Sequence, residues 1–490
     1  MREWPASVTH LPRPEQQSGS APGFGADELA KAAQGVLLRA SLRPIRGAAV
    51  DSRTLGEHAA FFALPGERTD GHRFVEDAVA AGAAAVVITQ PLPDESLDRL
   101  SRGHAGGVTV IRVPDGVTAL GRMASAWRQR FSPLVVGVTG SLAKTSTKEQ
   151  IAEVLASRHS VLRSAGNENN EIGLPLTLLR LEASHDAAVL EMGMYVPGDI
   201  AYLSGLARPA IGVVTAVRGT HISRAGSLEA IERGKVELVE AIDADGAVVL
   251  NVDDPRVAGM ARRARGDILL YGFGNRADFR AEDVRSRGEE GMSFRLLTPA
   301  GSVEVESPAL GRHGVHNALA AAAVGLRAGL DPAQIAVGLA RPWHAPHRSR
   351  LVRAGSWRIV DDSYNASPDS MVAALDLLAS LSGRRVAVLG EMLELGEASE
   401  ALHRTVGAHA AGTADLLITV GEGAAPIADG AAAAGMQTGA RASATDRTEA
   451  LALLLERLAP DDIVLVKASR GAALDWIVDR LVAAHDGEPA

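Results

Sequence analysis

Apolar positions in this chain fall into two patterns. Short unbroken runs such as "AAAVVIT" (83–89), "LVVGVT" (134–139), "AAVLEMG" (187–193), "AIGVVTAV" (210–217) and "GAVVLNVDD" (246–254) alternate with stretches in which apolar residues recur every three or four positions. Runs of that length read as strands buried on both faces and the periodic stretches as helices, so the chain predicts an α/β protein built on mostly parallel sheets. The rhythm occurs three times. A first unit over 26–131 holds "AAVDSR" and "AAFFAL" as strands and "HRFVEDAVAAG" as a helix. A second, over 132–343, begins after Pro133 breaks the helical "ALGRMASAWRQR". A third, over 344–490, carries "SWRIVDDS", "RRVAVLGE", "ADLLITVGE" and "DIVLVKAS" as strands, a Rossmann-like doubly wound pattern. Between 278 and 310 the pattern switches to strict alternation with a turn at "TPAGS", which predicts an antiparallel extension of the central unit. "RPWHAPHRSR" reads as a proline-punctuated linker.

Composition narrows this picture. Residues 1–25, rich in Pro, Ser, Gly and Gln, read as an unstructured tail, and without the apolar stretch of a secretory signal they point to a cytoplasmic protein. No window approaches the roughly 18 apolar residues of a membrane helix. A net charge of −9 argues against nucleic acid as a partner, and an anionic substrate would have to be held by local groups. The absence of cysteine excludes disulfides, thiolate metal sites and thiol nucleophiles. Aromatic residues make up only 3%, so Trp127, Trp343, Trp357 and Trp476 are expected to anchor packing.

The first candidate chemistry lies in "VVGVTGSLAKTSTKEQ" (135–150), a strand, a short loop and a helix. This is the context of a P-loop, in which backbone N–H groups and a helix N-terminus converge on phosphate oxygens. The candidates are Gly137, Gly140, Ser141, Lys144, Thr145 and Ser146, with Lys144 as a point charge and Thr145 offering a hydroxyl to Mg²⁺. Ala143 stands where the motif has glycine. If that position requires positive φ, the methyl group costs on the order of 1 kcal/mol. The alternative is a structural glycine turn. Glu191 and His221 follow later strands and suit a hard cation, against the plainer readings of a helix-terminal charge and a polar loop residue. Lys235, in "SLEAIERGKVELVEAI", reads from its neighbours as a solvated helix charge paired with Glu232, and "NVDDP" (251–255) as an Asx turn.

Together these motifs resemble the Mur ligase family, ATP-dependent amide-forming enzymes of peptidoglycan synthesis. The likeness is carried by "VDSRTLGEHAAFFALPGERTDGHRF", "GNENNEIGLPLTLL", "GRHGVHNALAAAAVG" and "IVDDSYNASPDSMVAALDLL" with "RRVAVLGEMLELGEASEALH". The resemblance implies a monomeric three-domain enzyme with a UDP-substrate domain, a central P-loop ATPase-like domain and a C-terminal ligase domain. It also implies an activity, the addition of D-alanyl-D-alanine to UDP-N-acetylmuramoyl-tripeptide through an acyl phosphate. A relative forming another amide bond is the alternative, and a non-catalytic nucleotide-binding protein a third reading.

Carried over residue by residue, the resemblance gives Lys144 and Thr145 to the ATP phosphates and Mg²⁺. Glu191 and His221 become ligands of two Mg²⁺ ions, and Asn317 a neighbour of adenine. It makes Lys235 an N-carboxylated metal ligand, and Lys144, Lys235 and His221 the catalytic set. Ser52, Arg53, Asp70, Gly71, His72 and Asn170 fall on the UDP substrate. Asp361, Asn365 and one of Arg348 or Arg350 fall on the nucleotide, and Lys467, Ser469 and Arg470 on the dipeptide. The chain departs from the family pattern at Ala143, Ser223, Gly234 and Gly314.

Overall fold

The computed structural model describes residues 23–66, 69–102, 107–219, 222–343 and 345–486. Of the stretch read as a tail, 1–22 lie outside these, whereas Phe24 is fully buried and bridged to Ile45, so ordered chain begins ahead of residue 26. Phe24 packs on Trp127, which also meets Phe131 and donates its indole N–H to Leu181 O at 3.0 Å.

The first sheet comprises β1 (Val36–Arg39), β2 (Ala48–Ala49), β3 (Ala60–Phe62), β4 (Ala85–Ile88) and β5 (Thr109–Arg112) in the order β1-β5-β4-β3-β2, with only β1 antiparallel to its neighbour. The second comprises β6 (Leu134–Thr139), β7 (Val161–Arg163), β8 (Ala187–Glu191), β9 (Ile211–Val214), β10 (Ala247–Asn251) and β11 (Asp267–Tyr271), all parallel, in the order β11-β10-β9-β6-β8-β7. Its unbroken apolar runs serve two cores at once. Val135, Ala188, Leu190 and Val248 face one side, while Val136, Val138, Val189 and Val249 face the other.

The alternating stretch forms the expected antiparallel sheet, β12 (Arg280–Ser286), β13 (Met292–Thr298) and β14 (Gly301–Ser307), its tight turn closing between Thr298 and Gly301. It packs with the helix Gly311–Arg327, whose Ala320 to Ala323 are wholly buried.

The C-terminal sheet comprises β15 (Arg350–Ala354), β16 (Trp357–Asp361), β17 (Arg385–Gly390), β18 (Leu416–Val420), β19 (Arg441–Ala444) and β20 (Ile463–Lys467), ordered β15-β16-β20-β17-β18-β19, with β15 alone antiparallel. Ala387 and Leu389 enter one core and Val386 and Val388 the other, as a doubly wound sheet requires. Two strands escape the apolar pattern. Arg350, the last residue of the linker stretch, already begins β15, and β19 is the small, weakly apolar "RASA".

Candidate functional site

Strand β6 lies inside the central sheet between β8 and β9, so the loop that follows it opens between their carboxyl ends. Gly140 there has φ +151, and a Cβ would collide with Thr215 Oγ1. Thr215 Oγ1 itself donates to Leu142 O at 2.5 Å, and Ser141 exchanges bonds with Arg218, its Oγ donating to Arg218 O at 3.0 Å and accepting from Arg218 N at 2.9 Å. The loop is therefore held from the β9 side. Ala143 immediately precedes the helix Lys144–Leu155 with φ 63 and ψ 6, a left-handed conformation, so this position does carry the strain that glycine would avoid.

Lys144 Nζ donates to Gly140 O at 2.9 Å, which folds the side chain back over the loop. Burial lowers its pKa, opposed by Glu191 and reinforced by Arg348. Thr145 Oγ1 donates to Glu191 Oε2 at 2.8 Å, and Asn169 Nδ2 to Glu191 Oε1 at 2.8 Å. Glu191 is 1% exposed, so both of its oxygens are fixed in a dry corner beside the phosphate loop. Asn169 was not singled out by the sequence, which drew attention to its neighbour. Asn170 Oδ1 accepts from Ile172 and Gly173 N–H at 3.2 and 2.8 Å and so holds the turn that leads into the helix Gly173–Leu178.

The reading of Lys235 as a solvated helix charge is corrected here. It is 4% exposed, and Glu232 pairs instead with Arg256 at 2.5 Å. Glu237 accepts from the N–H groups of Gly198 and Ala201. No hydrogen bond or ion pair joins the Lys235 ammonium to another described residue, and burial, with the charge of Lys144, pushes its pKa well below the usual lysine range. His221 lies outside the described residues.

Two cavities meet at this loop. One of about 330 Å³ is lined by Gly140, Ser141, Lys144, Asn170, Tyr195 and Lys235, among others. The other, of about 180 Å³, runs between the loop and the C-terminal sheet and is lined by Leu142 to Ser146, Asn317, Arg348, Asn365 and Lys467, among others. Ser141 and Lys144 line both. Gly137 lies beneath them within β6.

Residue by residue, the C-terminal side differs from the sequence reading. Arg348 lines the second cavity and stacks on Tyr364, whereas Arg350 is exposed at the start of β15. Asp361 is turned away, bonded to His347 Nδ1 at 2.9 Å and Ser363 Oγ at 2.6 Å, and Asp362 faces the cavity in its place. Lys467, read with the dipeptide group, is ion-paired to Asp362 at 2.5 Å beside this second cavity, apart from Ser469 and Arg470. Asn365 lines this cavity and the hollow containing Ser469 and Arg470.

The N-terminal candidates gather at the carboxyl ends of β2, β3 and β4. Ser52 and Arg53 follow β2, with Arg53 Nη2 on Asp51 Oδ2 at 2.6 Å, and Asp51 is held near pKa 2 by that bond. His72 Nε2 accepts from Thr89 N–H at 3.0 Å, which fixes the proton on Nδ1 and directs it to Asp70 Oδ1 at 2.6 Å. Gly71 lies so close to Leu64 that a Cβ would stand 2.7 Å from its backbone. Part of the "GERTDGH" loop, residues 67 and 68, lies outside the described residues.

Two of the departures from the family pattern, Gly234 and Gly314, sit against close neighbours. A Cβ at Gly234 would meet the end of Met194, and one at Gly314 would stand 2.8 Å from Ala309 Cβ, so larger neighbours fill both places. Ser223 is exposed on the short helix Ile222–Ala225.

Among the described residues no three His, Asp or Glu side chains form a metal cage. That is compatible with Mg²⁺, which is usually held by one or two protein oxygens together with phosphates, and the Thr145 hydroxyl beside the Glu191 carboxylate supplies such a pair. Lys235 fits a cation only once its amine carries a carboxylate.

Family profiles described as "Mur ligase family, catalytic domain", "Mur ligase middle domain" and "Mur ligase, glutamate ligase domain" match residues 44–128, 138–325 and 347–470. The chain is 38% identical over 442 residues to the UDP-N-acetylmuramoyl-tripeptide–D-alanyl-D-alanine ligase of Bacillus subtilis, covering 89% of this chain and 93% of that one. It superposes on the crystal structure of MurF from Acinetobacter baumannii with a TM-score of 0.82 at 29% identity, covering 94% and 99% of the two chains. MurF ligase from Thermotoga maritima in complex with ADP gives 0.76 at 27% identity, covering 90% and 98%.

Proposed function

The chain belongs to the Mur ligase family, and from that premise we propose that it is the ADP-forming ligase that joins D-alanyl-D-alanine to UDP-N-acetylmuramoyl-tripeptide in peptidoglycan precursor synthesis. One observation carries the reading beyond similarity: Lys144 and Ser141 line both cavities, so a phosphate donor in one and a carboxylate in the other would meet at the same ammonium. No described helix is long and apolar enough to cross a membrane. The enzyme acts in the cytoplasm, where ATP and UDP-linked precursors are present.

In this reading ATP occupies the smaller cavity, with its phosphates on the loop N–H groups and Lys144 and its base near Asn317. The peptide carboxylate enters the larger cavity. The uridine nucleotide lies at the strand ends that carry Ser52, Arg53 and His72. A carboxylate oxygen attacks the γ-phosphorus, ADP leaves, and Lys144 stabilises the charge accumulating on the bridging oxygen. The dipeptide amine then attacks the acyl carbon, phosphate leaves and one proton is lost. Burial around Glu191 and Lys235 keeps water from the acyl phosphate. Magnesium held by Thr145 and Glu191 would supply further charge neutralisation when bound. Lys235, its ammonium disfavoured by burial and by Lys144, is the group whose neutral amine would take up CO₂, releasing a proton and turning a misplaced cation into a metal-binding anion.

The test is phosphate release from ATP with each substrate omitted in turn. Release that needs both UDP-N-acetylmuramoyl-tripeptide and D-alanyl-D-alanine is expected. Equal rates with free D-alanine would instead favour a relative forming another amide bond, and no dependence on either substrate would end the ligase reading.

A further inference from the structure

The linker ahead of β15 holds two left-handed residues that carry side chains, His347 at φ 58 and Ser349 at φ 45, and they flank Arg348. Backbone of this kind is unfavourable away from glycine and persists only where its surroundings over-determine it. Here the surroundings are two adjacent carboxylates at the end of β16. Asp361 Oδ2 lies 2.9 Å from His347 Nδ1, and a carboxylate there requires the ring to donate. Asp362 Oδ1 accepts from Ser349 N–H at 2.9 Å, and Tyr364 N–H donates to His347 O at 3.0 Å. Each carboxylate is fixed from the C-terminal side as well. Ser363 Oγ donates to Asp361 Oδ1 at 2.6 Å, and Lys467 Nζ to Asp362 Oδ2 at 2.5 Å.

What this strained turn achieves is the placement of one guanidinium. Arg348 reaches from it into the smaller cavity, stacked on the Tyr364 ring at 4.2 Å, whereas His347 and Asp361 do not line that cavity. Lys144 lines the same space, and Arg348 helps to lower its pKa, so the two cations repel across it. The carboxylates lining the cavity, Asp362 and Asp369, are already paired, with Lys467 and Arg218. A loosely held arginine would swing toward water to escape the repulsion. Pinning the backbone on both sides keeps the guanidinium in place, ready for an anion that engages both charges.

Resting on the ligase reading above, in which ATP fills this cavity, we infer that His347 is a positioning residue: held by Asp361, it fixes the strained turn that aims Arg348 at the nucleotide phosphates. Asp361 thereby serves the nucleotide without touching it. A bond that merely steadied the linker would act on the whole docked arrangement, whereas this clamp acts through Arg348 alone.

The experiment measures ATP affinity by calorimetry in magnesium buffer, on the full-length protein, for a double-mutant cycle. His347→Gly removes the imidazole while tolerating the left-handed backbone, and it should weaken ATP binding roughly 10-fold, the scale of one hydrogen bond to a charged group. Arg348→Ala should weaken it by at least as much. The two changes together should match Arg348→Ala alone to within about twofold. His347→Asn, whose amide nitrogen takes the place of Nδ1 and which accepts left-handed backbone, should restore most of the wild-type affinity. Affinity for the UDP-tripeptide should stay the same in every variant. Wild-type ATP affinity in His347→Gly overturns the assignment, as does a loss that adds to that of Arg348→Ala or that His347→Asn leaves unrepaired. An equal loss of affinity for the UDP-tripeptide overturns it too, because His347 would then hold the domains rather than Arg348. The ligase reading fails separately: a wild type that binds ATP yet releases no phosphate with both substrates present overturns that reading, while the cycle still decides the clamp.

Discussion

Ala143 and Lys235 show how single positions carry consequences their local sequence conceals. At Ala143 the left-handed φ of 63 decides a question that composition leaves open. Ala143→Gly relieves left-handed strain of roughly 1–2 kcal/mol and loosens the unfolded chain by about 0.4–1 kcal/mol, so a net gain between about 0 and 1.5 kcal/mol is expected in chemical denaturation, with turnover kept or raised. A loss of stability would mean that the methyl group packs usefully. Lys235 is the sharper case. If Lys235 carries the proposed carbamate, Lys235→Ala should lower turnover at least ~100-fold, the scale of removing one preorganised electrostatic group. Added acetate or formate should restore part of it by offering oxygens to the vacated space. Near-normal phosphate release by the variant would return Lys235 to a packing role. The same scale explains the neighbouring doublets. In "ENNE" and "VDDS" two identical residues adjoin, and only the backbone decides that Asn169 reaches Glu191 while Asn170 holds the turn into a helix, or that Asp362 faces the smaller cavity while Asp361 binds His347.

At the scale of elements, strands buried on both faces were legible because their apolar runs are unbroken, and the β12 to β14 meander because alternation is unambiguous. β15 and β19 were not, since an edge strand needs no continuous apolar run. The helix around Lys235 misleads for a related reason: its glutamates suggest solvent, yet they serve Arg256 and the helix Asp199–Ala207 while the lysine turns inward. Element junctions also set the acid response. The "NVDDP" turn is the expected Asx turn, Asn251 Oδ1 accepting from Asp253 N–H at 2.9 Å, and Asp253 in turn ties the β10 end to His316 on the helix Gly311–Arg327. The hydrogen bond from His316, with the N–H groups of Phe273 and Gly274, lowers the Asp253 pKa from 3.8 to about 2. A depressed folded pKa contributes stability above the unfolded value and loses it as pH falls toward the folded one. The stability difference between wild type and Asp253→Asn should therefore be constant above about pH 5 and shrink between about pH 4 and 2 in denaturation profiles. A difference independent of pH over that range would show that the carboxylate charge is irrelevant to the junction.

For the whole molecule, the smaller cavity exists only because the C-terminal sheet docks against the phosphate loop, and the contact has an identifiable electrostatic part. Arg218, whose backbone already exchanges hydrogen bonds with Ser141, extends its guanidinium to buried Asp254 on its own side and to Asp369 at 3.2 Å on the helix Pro368–Ser380. Asp369 lines the cavity in which ATP is proposed to sit, so docking and the proposed nucleotide site share this carboxylate. The pair is 39% and 57% exposed, so its strength is at most about 1 kcal/mol and is screened by salt. Asp369→Asn should accordingly raise KM for ATP by no more than about fivefold, and Asp369→Lys, which sets like charges against each other, by roughly tenfold or more. The discriminating measurement is ionic strength. Between about 50 and 500 mM salt the penalty of Asp369→Lys relative to wild type should fall, because Debye screening removes repulsion between exposed charges, while KM for the UDP-tripeptide moves equally in both proteins. A penalty that survives high salt undiminished would mean that the lysine blocks the cavity sterically, and that the two halves of the nucleotide site are held together by the packing of the helix rather than by its charge.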